Sequence, residues 1–260
     1  MIKTPSIRRL RSSVSITACL LLAAGCGTSP VVKDPPPNEA VFEYERVVAD
    51  DVDVKANAVY DPWEGFNRRM YRFNAGADRW VLMPMVRTYR FIFPRPLRRG
   101  ISNVFDTIFG IRTFANQIMQ GRPVRAGQTV GRMGVNLTLG LVGLVDVATK
   151  LGMPYHVEDF GQTLGVWGLG PGPYLVIPLL GPSSLRDGTG QIVDSAITSL
   201  AFTGPTGIDD SLTAQLIYNG LLIVDTRSRI AFEYYQTGSP FEYELVRLLM
   251  NTKRQIEIEK

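Results

Sequence analysis

Asp61-Pro62-Trp63-Glu64-Gly65-Phe66-Asn67-Arg68 opens the folded part of this chain, and its chemistry is that of a helix start. Asp61 stands where a cap is needed. Pro62 suits a first turn, where its missing N–H costs nothing, and Glu64 is placed to reach back to free amides. Ser239-Pro240-Phe241-Glu242 repeats the logic near the other end. Gly121 and Gly152 read as helix stops, since glycine readily takes the left-handed conformation that closes a helix. Between these marks the apolar spacing is mostly helical; Leu212, Leu216, Ile223 and Ile230 mark one long helix. No regular train of strands and no internal repeat appears. The spacing predicts an all-α, mainly helical single domain over residues 61–260, long enough for a proper core.

Outward from this domain, residues 26–60 read as a tether. Pro35-Pro36-Pro37 favours a stiff, extended spacer. Asp34, Glu39, Glu43, Glu45, Asp50, Asp51 and Asp53 make it acidic, with too little apolar periodicity for a fixed fold. Residues 1–25 read as a signal peptide. Lys3, Arg8, Arg9 and Arg11 precede an apolar run from Val14 to Ala24, too short to span a bilayer core of ~30 Å. Leu22-Ala23-Ala24-Gly25-Cys26 resembles a lipobox, in which small residues precede a cysteine that becomes the lipidated first residue. Ile16-Thr17-Ala18-Cys19 fits loosely, but with a shorter apolar region, so Cys26 is preferred. Two incidental cysteines on an ordinary signal peptide is the plainer alternative. With no cysteine after Cys26, the exported chain has no disulfide to make. In Gram-negative sorting an Asp after the lipidated cysteine retains a lipoprotein in the inner membrane; Gly27 favours the outer membrane.

Three stretches of the domain are unusual for a soluble protein. From Arg68 to Arg99 there are nine arginines, no lysine and one acid, Asp78, interleaved with Phe66, Tyr71, Phe73, Trp80, Tyr89, Phe91 and Phe93. Guanidinium forks suit phosphate, and aromatic rings favour the membrane–water interface. The pattern would also suit nucleic acid, which export argues against, or a solvated basic face. Next, Val135 to Ala148 is apolar and glycine-rich, interrupted by Asn136 and Asp146. It reads as a closely packed helix, in a leaflet or in the core. Finally, Gly161 to Pro182 carries Gly168, Gly170 and Gly172, but Pro171 and Pro173 remove the donors a phosphate loop needs, so it reads as an irregular apolar loop.

Catalysis has no positive support. His156 is the single histidine, Gly181-Pro182-Ser183-Ser184-Leu185 is no nucleophile elbow, and no set of metal ligands stands at recognisable spacing. No cofactor is expected.

From Asp61-Pro62-Trp63-Glu64-Gly65-Phe66-Asn67-Arg68 onward the chain resembles the MlaA/VacJ family of outer-membrane lipoproteins. The likeness runs through Gly100-Ile101-Ser102-Asn103 and Asn116-Gln117-Ile118-Met119-Gln120-Gly121. It is densest at Asp159-Phe160-Gly161-Gln162-Thr163-Leu164-Gly165, Gly172-Pro173-Tyr174 and Gly181-Pro182-Ser183-Ser184-Leu185-Arg186-Asp187. It covers nearly all of residues 60–250, loosens after Gly238, and matches little from Lys253 to Lys260.

The resemblance implies a helical, ring- or disc-shaped, membrane-embedded domain with short irregular Gly/Pro-rich segments, seated beside trimeric porins. Such a protein takes misplaced phospholipid from the outer leaflet through an amphipathic channel. It passes the lipid to a soluble periplasmic carrier of the MlaC kind, changing no bond. On that reading Asn103 and Val104, just after an expected helix bend, form the channel rim, and Arg95, Arg98 and Arg99 guide phosphate. Trp167 and Tyr174 are further candidate lipid contacts. Phe241 to Ile258 reads as an exposed amphipathic helix. The alternative is a non-transporting envelope scaffold that binds porins or lipid; a lipase or wall hydrolase ranks third.

Overall fold

The computed structural model describes residues 59–236 and 238–260; the expected signal peptide, Cys19, Cys26 and nearly all of the tether lie outside them. The described domain is mostly helical. Helix α1 (Glu64–Ala77) runs through a π-helical turn (Asp78–Leu82) into α2 (Met83–Ile92). Phe93 and Pro94 are extended and turn the chain into α3 (Arg95–Met119), which packs most closely on α4 (Pro123–Thr138). Short α5 (Val147–Lys150) and α6 (Phe160–Val166) lead to an antiparallel hairpin, β1 (Tyr174–Ile177) and β2 (Gly181–Ser184). Helix α7 (Leu185–Thr198) ends in a second π turn (Ser199–Thr203), followed by α8 (Leu212–Arg229) and α9 (Glu242–Glu259).

Several expectations need correction. Asp61 is not a cap: α1 starts at Glu64 without a side-chain cap. Its carboxylate instead accepts hydrogen bonds from Asn67 Nδ2 (2.7 Å), Tyr243 Oη (2.5 Å) and Arg247 Nη1 (3.1 Å). A charge-assisted site between two helices holds a carboxylate better than a solvated helix end. Glu242 likewise turns away from its own helix start and accepts from Tyr71 Oη at 2.8 Å. The side-chain caps fall at Asp146, Asp159, Ser184 and Ser211. Gly121 and Gly152 do close helices, at φ +70° and +73°.

Val135 to Ala148 is not one helix. Helix α4 stops at Thr138, and the chain doubles back so tightly that a Cβ on Gly140 would lie 2.2 Å from Val145 O. Leu141 and Val142 take positive φ, a costly conformation for any residue with a Cβ. Gly161 to Pro182 is likewise only partly irregular, since it contains α6 and β1. Nor is α9 merely an exposed helix. It buries Glu242, Tyr243 and Val246, and Arg254 bonds Asp159 (2.7 and 2.8 Å) and pairs with Asp187 (3.1 Å).

The hairpin is small, and two asparagines complete it. Asn67 and Asn74 stand seven residues apart, two turns along one face of α1. Asn67 donates to Tyr174 O (3.0 Å) and accepts from Val176 N (2.9 Å). Asn74 donates to Ile177 O (3.0 Å) and accepts from Leu179 N (2.7 Å). Their amides serve the free edge of β1 as a third strand would, and Tyr60 O takes Tyr174 N at 2.8 Å. Tyr71, between the asparagines, packs with Tyr174, Val176, Tyr243 and Val246 in one core; Val86, Tyr89 and Val224 make another.

These cores are modest. Among the described residues 20 polar or charged side chains are buried against 11 hydrophobic ones. Many large apolar side chains face outward, including Phe91 (91% exposed), Leu200 (81%) and Trp80 (74%). Polar inside and apolar outside reverses the ordinary soluble pattern. No described helix is long and apolar enough to cross a membrane.

Candidate functional site: an amphipathic cavity between helices α3, α4 and α8

Helix α3 turns one polar face inward: Asn103, Asp106, Thr107, Gly110 and Thr113 follow three- and four-residue steps and line a cavity of about 420 Å³. Helix α4 contributes Thr129, Arg132, Met133 and Asn136. The chain between α5 and α6 adds Tyr155, His156 and Val157, and the end of α8 adds Thr226, Arg229 and Ile230. The site therefore mixes apolar and charged surface. Its volume falls within the ~300–1,000 Å³ of small-ligand sites, room for a headgroup-sized polar ligand.

Two of its arginines are fully occupied. Arg132 donates to both oxygens of Asp146 (3.1 and 3.2 Å), to Thr149 Oγ1 (2.9 Å) and to Met153 O, and lies over the Tyr155 ring. Asn136 ties the same carboxylate down and accepts from Ala148 N. Arg229 bridges Asp106 and the fully buried Asp225, each at 2.8 Å. Tyr89 and Ser102 also donate to Asp225. The third, Arg112, has its guanidinium carbon 4.2 Å from the centre of the Phe109 ring, and its side chain makes no hydrogen bond or ion pair among the described residues. Burial, then the Arg125 charge, holds the His156 pKa below its usual value, so it is neutral at pH 7. Among the described residues no group of three His, Cys, Asp or Glu is placed to hold a metal ion.

Of the residues expected from the sequence, Asn103 lines this cavity and donates to Leu144 O at 3.0 Å, holding the doubled-back segment onto α3. Val104 lies beside it, against Gly143 and away from the cavity lining. Arg95, Arg98 and Arg99 stand in the first turns of α3, outside the lining; Arg95 and Arg99 are exposed, and Arg98 Nε is buried without a hydrogen-bond partner. Trp167 Nε1 donates to Met119 O at the end of α3, and its ring stands edge-on to Phe160. Tyr174 is buried in β1 beside a second cavity of about 370 Å³, which Asp187 and Arg254 also line. Arg112, Arg132 and Arg229 escaped the sequence reading. Asn136 and Asp146, the two polar interruptions of an apolar run, were the visible trace of this site.

A helical domain with a polar interior, an apolar exterior and an amphipathic cavity belongs to the class of lipid-handling proteins. The profile of the MlaA lipoprotein family matches residues 59–257, and the chain belongs to that family. It is 30% identical over 202 residues to an uncharacterized protein of Rickettsia felis, covering 77% of this chain and 79% of the relative. It is 36% identical over 138 residues to the intermembrane phospholipid transport system lipoprotein MlaA of Escherichia coli (strain K12), covering 52% of this chain and 55% of that protein. The chain thus spans about half the length of this named relative. A solved structure described as "Structural basis for maintenance of bacterial outer membrane lipid asymmetry" superposes with a TM-score of 0.60 at 28% identity. It covers 76% of this chain and 98% of its own.

Proposed function

We propose that this protein is an outer-membrane lipoprotein, anchored through Cys26, that removes mislocalised phospholipid from the outer leaflet and releases it to a periplasmic carrier. The observation that carries this reading is the inverted polarity: 20 buried polar side chains against 11 buried hydrophobic ones, beneath an exterior bearing Phe91, Leu200 and Trp80. Lipid tails stabilise such an exterior, and water in a cavity stabilises such an interior. The cavity between α3, α4 and α8 is then the polar path. A headgroup crossing hydrocarbon alone would lose its hydration at a cost of several kcal/mol or more, and polar walls offset that cost. The body sits as a ring in the membrane beside a trimeric porin. Arg95, Arg98 and Arg99, with Asn103 and Val104, lie at its rim, and the exposed Trp167 contacts lipid, whereas the buried Tyr174 serves the core instead.

Deleting the gene and measuring surface-exposed phospholipid tests the proposal. An excess in the outer leaflet, reversed by the wild-type chain, is expected. No excess would count for a scaffold without transport. Charge reversal of Arg95, Arg98 and Arg99 together should slow clearance while the protein stays membrane-bound.

A further inference from the structure

A buried donor of an arginine is rarely left without an acceptor, because it is costly to desolvate unpaired. Each cavity arginine can be checked against that rule. Arg132 is spent on Asp146, Thr149 and a backbone carbonyl, and Arg229 on Asp106 and Asp225. Arg112 differs. Its Nε is buried without a hydrogen-bond partner, and the guanidinium has no ion pair among the described residues. Asp194 is near enough to feel its charge but not within ion-pair distance, and that carboxylate is taken by Asn116 Nδ2 (2.8 Å) and Phe160 N (2.9 Å). The Arg112 guanidinium carbon lies 4.2 Å from the centre of the Phe109 ring, a cation–π contact that holds the group at the cavity wall, where Arg112 lines the cavity with Thr113 and Tyr155.

We infer that Arg112 is the seat of one phosphodiester group, held while a phospholipid occupies the cavity. The inference rests on the transport reading and adds its substrate contact. A planar fork beside a flat ring is shaped for two oxygens of one tetrahedral anion. Arg132 and Arg229 already face carboxylates, so Arg112 is the cavity arginine whose guanidinium is open to a singly charged group. A phosphodiester carries one charge, whereas free inorganic phosphate near pH 7 carries between one and two. The seat reads the phosphate alone, so lipids with zwitterionic and anionic headgroups should depend on Arg112 equally.

The test uses the full lipidated chain in detergent and follows dihexanoyl phosphatidylglycerol and inorganic phosphate by ³¹P line broadening, with dihexanoylglycerol as an unphosphorylated competitor. R112Q should weaken binding of the short-chain phospholipid by about tenfold or more, the loss of one charge-assisted contact. R112K, which keeps charge and loses the fork, should fall between, and R69Q should bind as wild type. The Arg112 side chain makes no hydrogen bond or ion pair among the described residues, and the bond its backbone carbonyl accepts from Asn116 survives substitution, so the melting temperature should change little; R112K guards against misfolding of R112Q. Dihexanoylglycerol should not displace the phospholipid at equal concentration. Equal binding by R112Q and wild type would overturn the seat. So would inorganic phosphate binding as tightly as the lipid with the same dependence on Arg112, which would mark a free-phosphate site. The two readings fail separately. Arg112-dependent binding without outer-leaflet phospholipid in the deletion strain supports the seat and removes transport. Transport without any effect of R112Q on binding or clearance removes the seat alone.

Discussion

Asn67 is fully buried, and its amide serves three partners at once: Asp61, Tyr174 O and Val176 N. Asn67→Ala therefore strands two backbone groups and one carboxylate oxygen. At ~1–3 kcal/mol for each buried group left unpaired, the domain should lose about 3 kcal/mol or more, read as a lowered melting temperature in detergent. Arg69→Ala, on the exposed side of the same helix, should stay within ~0.5 kcal/mol. Asp187 adds a pH dependence. Burial pushes its pKa up, but the Arg254 charge and hydrogen bonds from Arg186 and Arg254 outweigh this and hold it below 3.8. A folded-state pKa below the unfolded one gives stability that is complete above about pH 4 and lost as pH falls through the folded value. Acid titration of the melting temperature should show this loss in the wild type. It should be smaller in Asp187→Asn, though that variant starts less stable. The part of Asn67's role that matters most is not legible locally: its two hairpin partners, Tyr174 O and Val176 N, lie more than a hundred residues away.

At the scale of elements, long helices were legible and their exceptions were not. Leu212 to Ile230 shows an apolar repeat that outlasts any local irregularity, and α8 follows it to Arg229. The π turns at Asp78 and Ser199 each insert a residue into such a repeat, and one extra residue is invisible against ordinary variation. The first aims Asp78, the lone acid of the arginine segment, at Arg227 (2.5 and 2.9 Å). Tyr174 to Ile177 is too short for alternation to separate a strand from a loop. Helices α6 and α7 meet at two glycines: a Cβ on Gly190 would lie 2.4 Å from Gly161 N, which is backbone and cannot swing aside. Gly190→Ala should force these helices apart, costing about 1–3 kcal/mol or more. Protease cleavage between α6 and β1 should rise with it, and an unchanged melting curve would show that the contact yields.

For the molecule as a whole, the telling feature is which side the charges face. The candidate path was only half legible. Asn136 and Asp146 broke an apolar run visibly, but Arg112, Arg132 and Arg229 sit on three separate helices, and only the fold makes them neighbours. The exterior gives a prediction that separates lipid from water. In a water-facing protein Phe91→Lys, at a side chain 91% exposed, would be neutral or would help solubility. Against hydrocarbon the same change should cost up to ~2.5–3.5 kcal/mol, depending on depth. Measured in bilayer and in detergent, the variant should lose more stability in the bilayer. Equal tolerance in both would place Phe91 outside the lipid.

Asp61 and Tyr243 are bonded across 182 positions of sequence, and Tyr71 and Glu242 across 171. A two-stranded hairpin alone is at best marginally stable. The hairpin core therefore cannot close until the last helix has been delivered. On the export route proposed above, a chain delivered from its N-terminus would hold this core open until α9 arrives. Completion of this core is then set by the arrival of α9 rather than by the hairpin's own sequence.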